Sequence, residues 1–176
     1  HTGVFEEMFD KGLFDKHFVN CETVGSATAY GLNNEQSSSK ANVHFRKAIK
    51  RFPYCETIAI MLGEVDCSMA LWMIAEKKRL QANDLLSYCV DQVALFLKQY
   101  AADKKIIILG APLPSVFDDQ TDQQIFLPRR GRQYPLAERT RLLLSFNLLL
   151  SDLAKKNHYD YIDITEAIMD KSTGLV

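Results

Sequence analysis

Thr57-Ile-Ala-Ile-Met-Leu62-Gly63-Glu64-Val65-Asp66-Cys67 is the stretch on which the reading of the whole chain turns. Thr57 to Leu62 is a continuous apolar run, the signature of a strand covered on both faces. Gly63 stops it, and two carboxylates follow at once. Charged residues directly after a buried strand lie at the carboxyl edge of a parallel sheet, where open α/β proteins hold their ligands.

The same signature returns at Lys105-Ile-Ile-Ile-Leu109, stopped by Gly110-Ala-Pro-Leu-Pro114, and a last strand is expected over residues 159–164. His17 to Thr23 is a short strand candidate closed by Val24-Gly25. Between and around these runs the apolar period changes to that of helices. Thr2 to Phe14 carries Val4, Phe5, Met8, Phe9 and Leu13 on one stripe, and Val43 to Phe52 carries Phe45, Ala48 and Ile49 before Pro53 ends it. A helix capped by Asp66 or Ser68 reaches about Lys78, and one capped by Asn83 or Asp84 reaches about Ala102. Leu136 to Lys156 has leucines on more than one face, and Thr165 to Met169 forms a short final helix. Residues 32–42 read as a surface connection. Residues 115–135 are polar and irregular, with Asp118, Asp119 and Asp122 ahead of Arg129-Arg130-Gly131-Arg132; loops of this length are usually functional or partly disordered.

Buried strands separated by helices predict a single α/β domain over residues 1–176, a three-layer α/β/α sandwich with a mainly parallel, flavodoxin-like sheet. The first element is a helix, whereas doubly wound domains open on a strand. Either the sheet has three or four strands, or an upstream segment supplies one.

Composition narrows the function classes. The 176 residues suffice for one sizeable core. Their 21 Lys+Arg against 22 Asp+Glu leave no global field, so neither nucleic acid nor an anionic membrane is implied as a partner. The longest apolar runs, such as 142–150, are interrupted and too short for a membrane span. Cys21, Cys55, Cys67 and Cys89 show neither C-x-x-C nor zinc-finger spacing and read as small buried hydrophobes in a reducing, cytoplasmic setting. No metal-ligand cluster, P-loop or G-x-G-x-x-G pattern is present, so no metal and no cofactor is expected.

Gly63-Glu64-Val65-Asp66-Cys67 after a strand resembles the third conserved block of the SGNH hydrolases, the GDSL-type lipases and esterases. It is most similar to the branch reading Gly-Glu-Ile-Asp-Cys that accompanies polysaccharide biosynthesis. Val24-Gly25-Ser26-Ala27-Thr28-Ala29-Tyr30-Gly31 resembles that branch's second block, Arg139 and Phe146-Asn147 its penultimate helix, and residues 170–174 the turn toward its last block. His1-Thr2 resembles the tail of a first block Gly-Asp-Ser-His. The resemblance thus implies that the nucleophilic serine precedes residue 1 and that the Asp-x-x-His block follows Val176, so that the first strand and the C-terminal catalytic loop both lie outside this chain.

What the resemblance implies is a serine ester hydrolase or acyl-transfer domain acting on O-acylated carbohydrate or a similar small ester, within a larger protein. The alternative is a non-catalytic glycan-binding or structural module of a polysaccharide-modifying protein. In the first reading the Gly25 amide donates to the oxyanion, unless it only ends a strand, and Ser26 lies on the substrate side without a partner histidine. Glu64 binds substrate hydroxyls or pairs with His1, or forms a structural ion pair. Asp66 caps the following helix or holds the first block's loop. Arg139 pairs with a carboxylate near the site, Asn147 lies toward substrate, and Arg129 and Arg130 meet an anionic saccharide or stay solvated. Val65 stands where most of the family has the oxyanion-stabilising asparagine. His17, His44 and His158 read as ordinary residues, and Cys67 as a buried one.

Overall fold

In a computed structural model the described residues are 18–116, 118 and 134–175. They form, in order, α1 (Ala41–Arg51), β1 (Thr57–Met61), a π-helical turn (Asp66–Ala70) running into α2 (Leu71–Lys78), a 3-10 turn (Ala82–Leu85) running into α3 (Leu86–Tyr100), β2 (Lys105–Leu109), α4 (Leu136–Asn157), β3 (Asp160–Ile162) and α5 (Thr165–Ile168). The expected helix over residues 2–14 and most of the loop over 115–135 lie outside the described residues.

The chain is an α/β domain whose helices pack around a three-stranded parallel sheet in the order β1-β2-β3, consistent with a three-layer α/β/α sandwich. Thr57 pairs with Lys105 and Met61 with Leu109, while Ile107 and Leu109 pair with Asp160 and Ile162. Ile106 and Ile108 of the middle strand are buried in the core with Phe96 and Leu97 of α3 and Leu143, Phe146 and Leu150 of α4. At 22 residues, α4 buries Leu136, Arg139, Leu143, Phe146, Asn147 and Leu150, so its apolar side is broad, as its scattered leucines predict.

Two expectations need correction. β1 is not covered on both faces: Ile58 and Ile60 are half-buried against the core, but Ala59 between them is exposed. The face that carries Ala59 is the less covered one throughout, for Ile107 and Leu109 of β2 are only half-buried on it and Ile162 is exposed, whereas Ile58, Ile60, Ile106 and Ile108 face the core. The strand expected over 17–23 is also not formed at its described residues, for Phe18 to Val24 has no regular structure. A strand exists through the ladder it shares with a neighbour, and among the described residues the one neighbour of β1 is β2. Cys67 and Cys89 are buried as expected, whereas Cys21 and Cys55 are exposed, and all four are free thiols. No described helix is long and apolar enough to cross a membrane.

Gly63 fixes how the chain leaves β1. Its φ of +117° is a conformation that side chains disfavour, and a Cβ there would overlap the Phe146 ring of α4. The turn can therefore approach the helix only through a glycine. Gly63→Ala is expected to destabilise the protein by about 3 kcal/mol or more, measured by urea unfolding, because strain and steric overlap act together.

Candidate functional site

The helix after β1 begins directly at Glu64, so Asp66 lies inside its first turn rather than capping it. The side chain reaches across to another part of the chain. Its Oδ2 accepts the Ala29 N–H at 2.7 Å and its Oδ1 the Tyr30 N–H at 3.0 Å. Asp66 thus binds the stretch around Ala29 and Tyr30 to the end of β1, while His1 and Thr2, read as the first block's tail, lie outside the described residues. The carboxylate is 0% exposed, and Cys89 offers a long S–H contact to Oδ1 at 4.0 Å.

Burial is the largest influence on Asp66 and pushes its pKa up to about 6, against the opposing pull of the Tyr30 and Ala29 N–H groups. Burial, followed by the nearby Asp66 charge, also drives the Cys67 and Cys89 thiols upward, which makes both poor nucleophiles.

The helix that carries Asp66 is locally widened. The Leu71 N–H bonds to Asp66 O, and the Trp72 indole donates to Cys67 O at 2.7 Å. Such π-turns cost regular hydrogen bonding and concentrate at functional sites. Glu64, half-buried, accepts the Ser68 hydroxyl at 2.9 Å, one helical turn away.

Gly25 and Ser26 form an exposed turn near this anchor. A Cβ at Gly25 would meet nothing within 4 Å, and it is Ser26 that adopts a positive φ, of 58°. Conformation therefore demands glycine at Gly63, not at Gly25. His1, Arg129 and Arg130 lie outside the described residues. The described histidines are remote from this edge: His44 lies 3.7 Å from Glu22, and His158 ends α4 on the amino side of β3.

Arg139 and Asn147 act one step behind the surface. Asn147 Oδ1 accepts the Ala111 N–H at 2.8 Å and its Nδ2 donates to Ala111 O at 3.0 Å, so its amide completes the backbone bonding of the β2 exit. Arg139, 0% exposed, donates from Nε to Tyr134 O at 2.7 Å and from Nη2 to Val116 O at 2.6 Å, with Asp118 at 3.2 Å. Asp118 also accepts the Leu136 N–H at 2.7 Å. Residues 116, 118 and 134 are thereby tied to the start of α4, and the carboxylate that Arg139 meets is that of Asp118. Both residues position loops.

Several members of this edge were not singled out from the sequence. Asp163, just past β3, accepts the Tyr161 hydroxyl at 2.7 Å and the Thr165 N–H at 2.9 Å. Burial, then the bond to Asp163, raises the Tyr161 pKa. An Asp-Ile-Thr sequence between strand and helix is the available signal, since aspartate two residues ahead of an N–H forms an Asx turn. Two aromatic pairs flank the Asp66 turn. Tyr30 and Tyr88 have ring centres 4.9 Å apart, and Trp72 stacks on Tyr134 at 5.1 Å. Lys78 donates to the Tyr30 hydroxyl at 2.9 Å, and the Tyr134 hydroxyl to Glu76 at 2.8 Å. Nothing in apolar period distinguishes such rings from core residues.

No enclosed metal cluster of His, Cys, Asp and Glu exists among the described residues. An apolar void of about 10 Å³ between the sheet and α3 and α4 is too small for a ligand. The arrangement is an open, polar edge with three acids, Glu64, Asp66 and Asp163, and two aromatic pairs. Comparison with protein-family models, with curated proteins and with solved structures finds no match for the chain.

The raised pKa of Asp66 has a definite sign. Between about pH 4 and pH 6 the folded chain holds this proton more tightly than the unfolded chain, so the contribution of Asp66 to stability falls as pH rises and levels off above about 6. The full swing is about 3 kcal/mol. Urea unfolding from pH 4 to 7.5 should show this decline in the native protein, and Asp66→Asn should remove it, at a cost of about 1–3 kcal/mol at low pH from the N–H group left facing an amide.

Proposed function

We propose that this edge belongs to an SGNH-type serine ester hydrolase or acyl-transfer domain acting on O-acylated carbohydrate or a similar small ester. The observation that carries the reading is the Asp66 bridge: the two stretches that resemble the family's second and third blocks, far apart in sequence, are fastened together at the carboxyl edge by Asp66 to the Ala29 and Tyr30 amides. In this reading the turn at Gly25 offers its amide to the oxyanion, and Glu64, bound by Ser68, faces substrate hydroxyls. The nucleophile and base come from beyond residues 1–176, where the resemblance puts them, and the domain is part of a larger protein. Arg139 and Asn147 hold the loops over which substrate passes.

A second reading, a glycan-binding module without catalysis, draws on two observations. Val65 supplies no side-chain donor to an oxyanion, and the Tyr30/Tyr88 and Trp72/Tyr134 pairs offer the flat apolar faces on which sugar rings stack.

The parent polypeptide, assayed against acetylated oligosaccharides and aryl acetates, separates the two. Hydrolysis or transfer that falls at least about a thousandfold when the serine ahead of His1 is changed to alanine supports the enzyme. Saccharide binding with no ester turnover, unchanged by that substitution, supports the module and removes the hydrolase reading. Trp72 is the sole tryptophan, so either form of saccharide binding should alter intrinsic fluorescence, and Tyr134→Ala should weaken the change.

A further inference from the structure

Both rings of the Tyr30/Tyr88 pair spring from residues held at the Asp66 carboxylate. The Tyr30 N–H donates to Asp66 Oδ1 at 3.0 Å, and Tyr88, in the first turn of α3, precedes Cys89, whose thiol lies 4.0 Å from the same oxygen. One buried group thus anchors the pair to the carboxyl edge. The ring centres are 4.9 Å apart with their planes inclined at 49°, and Tyr88 is 47% exposed while Tyr30 is half-buried. Apolar ring surface is left open to solvent.

Lys78, at the end of α2, is drawn onto this pair. Its Nζ donates to the Tyr30 hydroxyl at 2.9 Å and lies 5.6 Å from the centre of the Tyr30 ring. The bond to that hydroxyl raises the Lys78 pKa, so the ammonium stays charged. Of the acids on either side of it in sequence, Glu76 accepts the Tyr134 hydroxyl at 2.8 Å and Asp84 the Gln81 N–H at 3.0 Å. Among the described residues no carboxylate balances Lys78. An ammonium has three N–H groups, the phenol takes one, and no described group takes the other two.

Lys77, Lys78 and Arg79 all sit at the carbonyl end of α2, where cations are favourable whatever they face. That accounts for the charges but not for the posture of Lys78, since a lysine loses side-chain freedom when it is held on a ring. Lys77 serves the helix end equally without a ring contact among the described residues.

We propose that Tyr30, Tyr88 and Lys78 form a subsite for an acidic sugar residue, the rings receiving its C–H face and the Lys78 ammonium its carboxylate. This rests on the carbohydrate reading of the edge and not on ester chemistry, and it narrows the ligand class to an acidic saccharide.

Titration calorimetry of the parent polypeptide with a tetragalacturonate, and with the neutral galactose tetramer of the same linkage, provides the test. The acidic tetramer should bind at least about fivefold tighter at about 0.1 M salt, and the preference should shrink as salt is raised. Lys78→Gln should remove the preference, whereas Lys77→Gln, which takes away the same charge one residue earlier, should leave it within about twofold. Tyr88→Ala should weaken both tetramers by about threefold or more. Equal affinity for the two tetramers, or no binding of either, overturns the proposal. So does a preference that survives Lys78→Gln, or one that Lys77→Gln reduces as much, which assigns the effect to general surface charge. Binding indifferent to Tyr88→Ala overturns it as well. Failure here and failure of the hydrolase reading are distinguishable. Turnover of neutral acetylated oligosaccharides with no acidic preference removes the subsite alone, whereas preferential binding without ester turnover removes the hydrolase and keeps the subsite.

Discussion

A single buried carboxylate, that of Asp66, joins the two halves of the carboxyl edge. Residues 25–40 contain no helix or strand, and a stretch of that kind keeps one conformation only where side chains satisfy its backbone. Asp66 takes two successive N–H groups from it, while Asn33 ties a second point to the Gln92 carbonyl at 2.8 Å and Thr28 accepts the Gly31 N–H at 3.1 Å. The hydrogen bonds do not fully offset the loss of water around the charge, as the upward pKa shift records. Asp66 is therefore better understood as fixing where the loop goes than as adding net stability.

Among the described residues the same device recurs along that edge and not at the other. Asn147 holds the exit of β2, Arg139 holds residues 116 and 134, and Asp163 holds the start of α5. Each is a polar side chain from one element bonded to the backbone of another. At the amino edge the comparable contacts, Lys105 to Asp160 at 2.9 Å and Lys104 to Pro53 O, lie on the surface, where solvent and salt weaken them. The fold thus concentrates its costly polar burial where the strands point.

How much of this was legible in the sequence depends on the physics behind each feature. The strands around Ile60 and Ile108 and the helices through Leu97 and Phe146 follow from local apolar period, and their places agree with the structure to within a few residues. The failed strand over 17–23 shows the limit of that signal, because a period states which residues would face inward but not whether a neighbouring strand is present to bond them. Asp66 shows another limit. An acid after a strand is common at a helix start, and its actual partners lie 36 and 37 positions away, where spacing carries no information. The aromatic pairs escaped for the same reason: Tyr30 and Tyr88, or Trp72 and Tyr134, become neighbours only through the fold.

The departures from ordinary helix and turn geometry also gather at one place. Gly63 takes a positive φ against Phe146, the next helical turn is widened to a π-turn, Asp66 is buried charged side by side with two thiols, and Arg139 is buried with its Nη1 lacking a hydrogen-bond partner among the described residues. For folding alone each is a cost: an α-helical turn would bond more regularly, and an apolar residue in place of a buried charge is often neutral or stabilising. Sequences that agree with their fold elsewhere tend to break local rules where something other than folding is asked of them. Ile106, Ile108, Leu143 and Leu150 form the consistent part of this molecule, and the turn from Gly63 to Ala70 with its partners forms the inconsistent part. That asymmetry gathers the local costs of the fold at the carboxyl edge, where the proposed site lies.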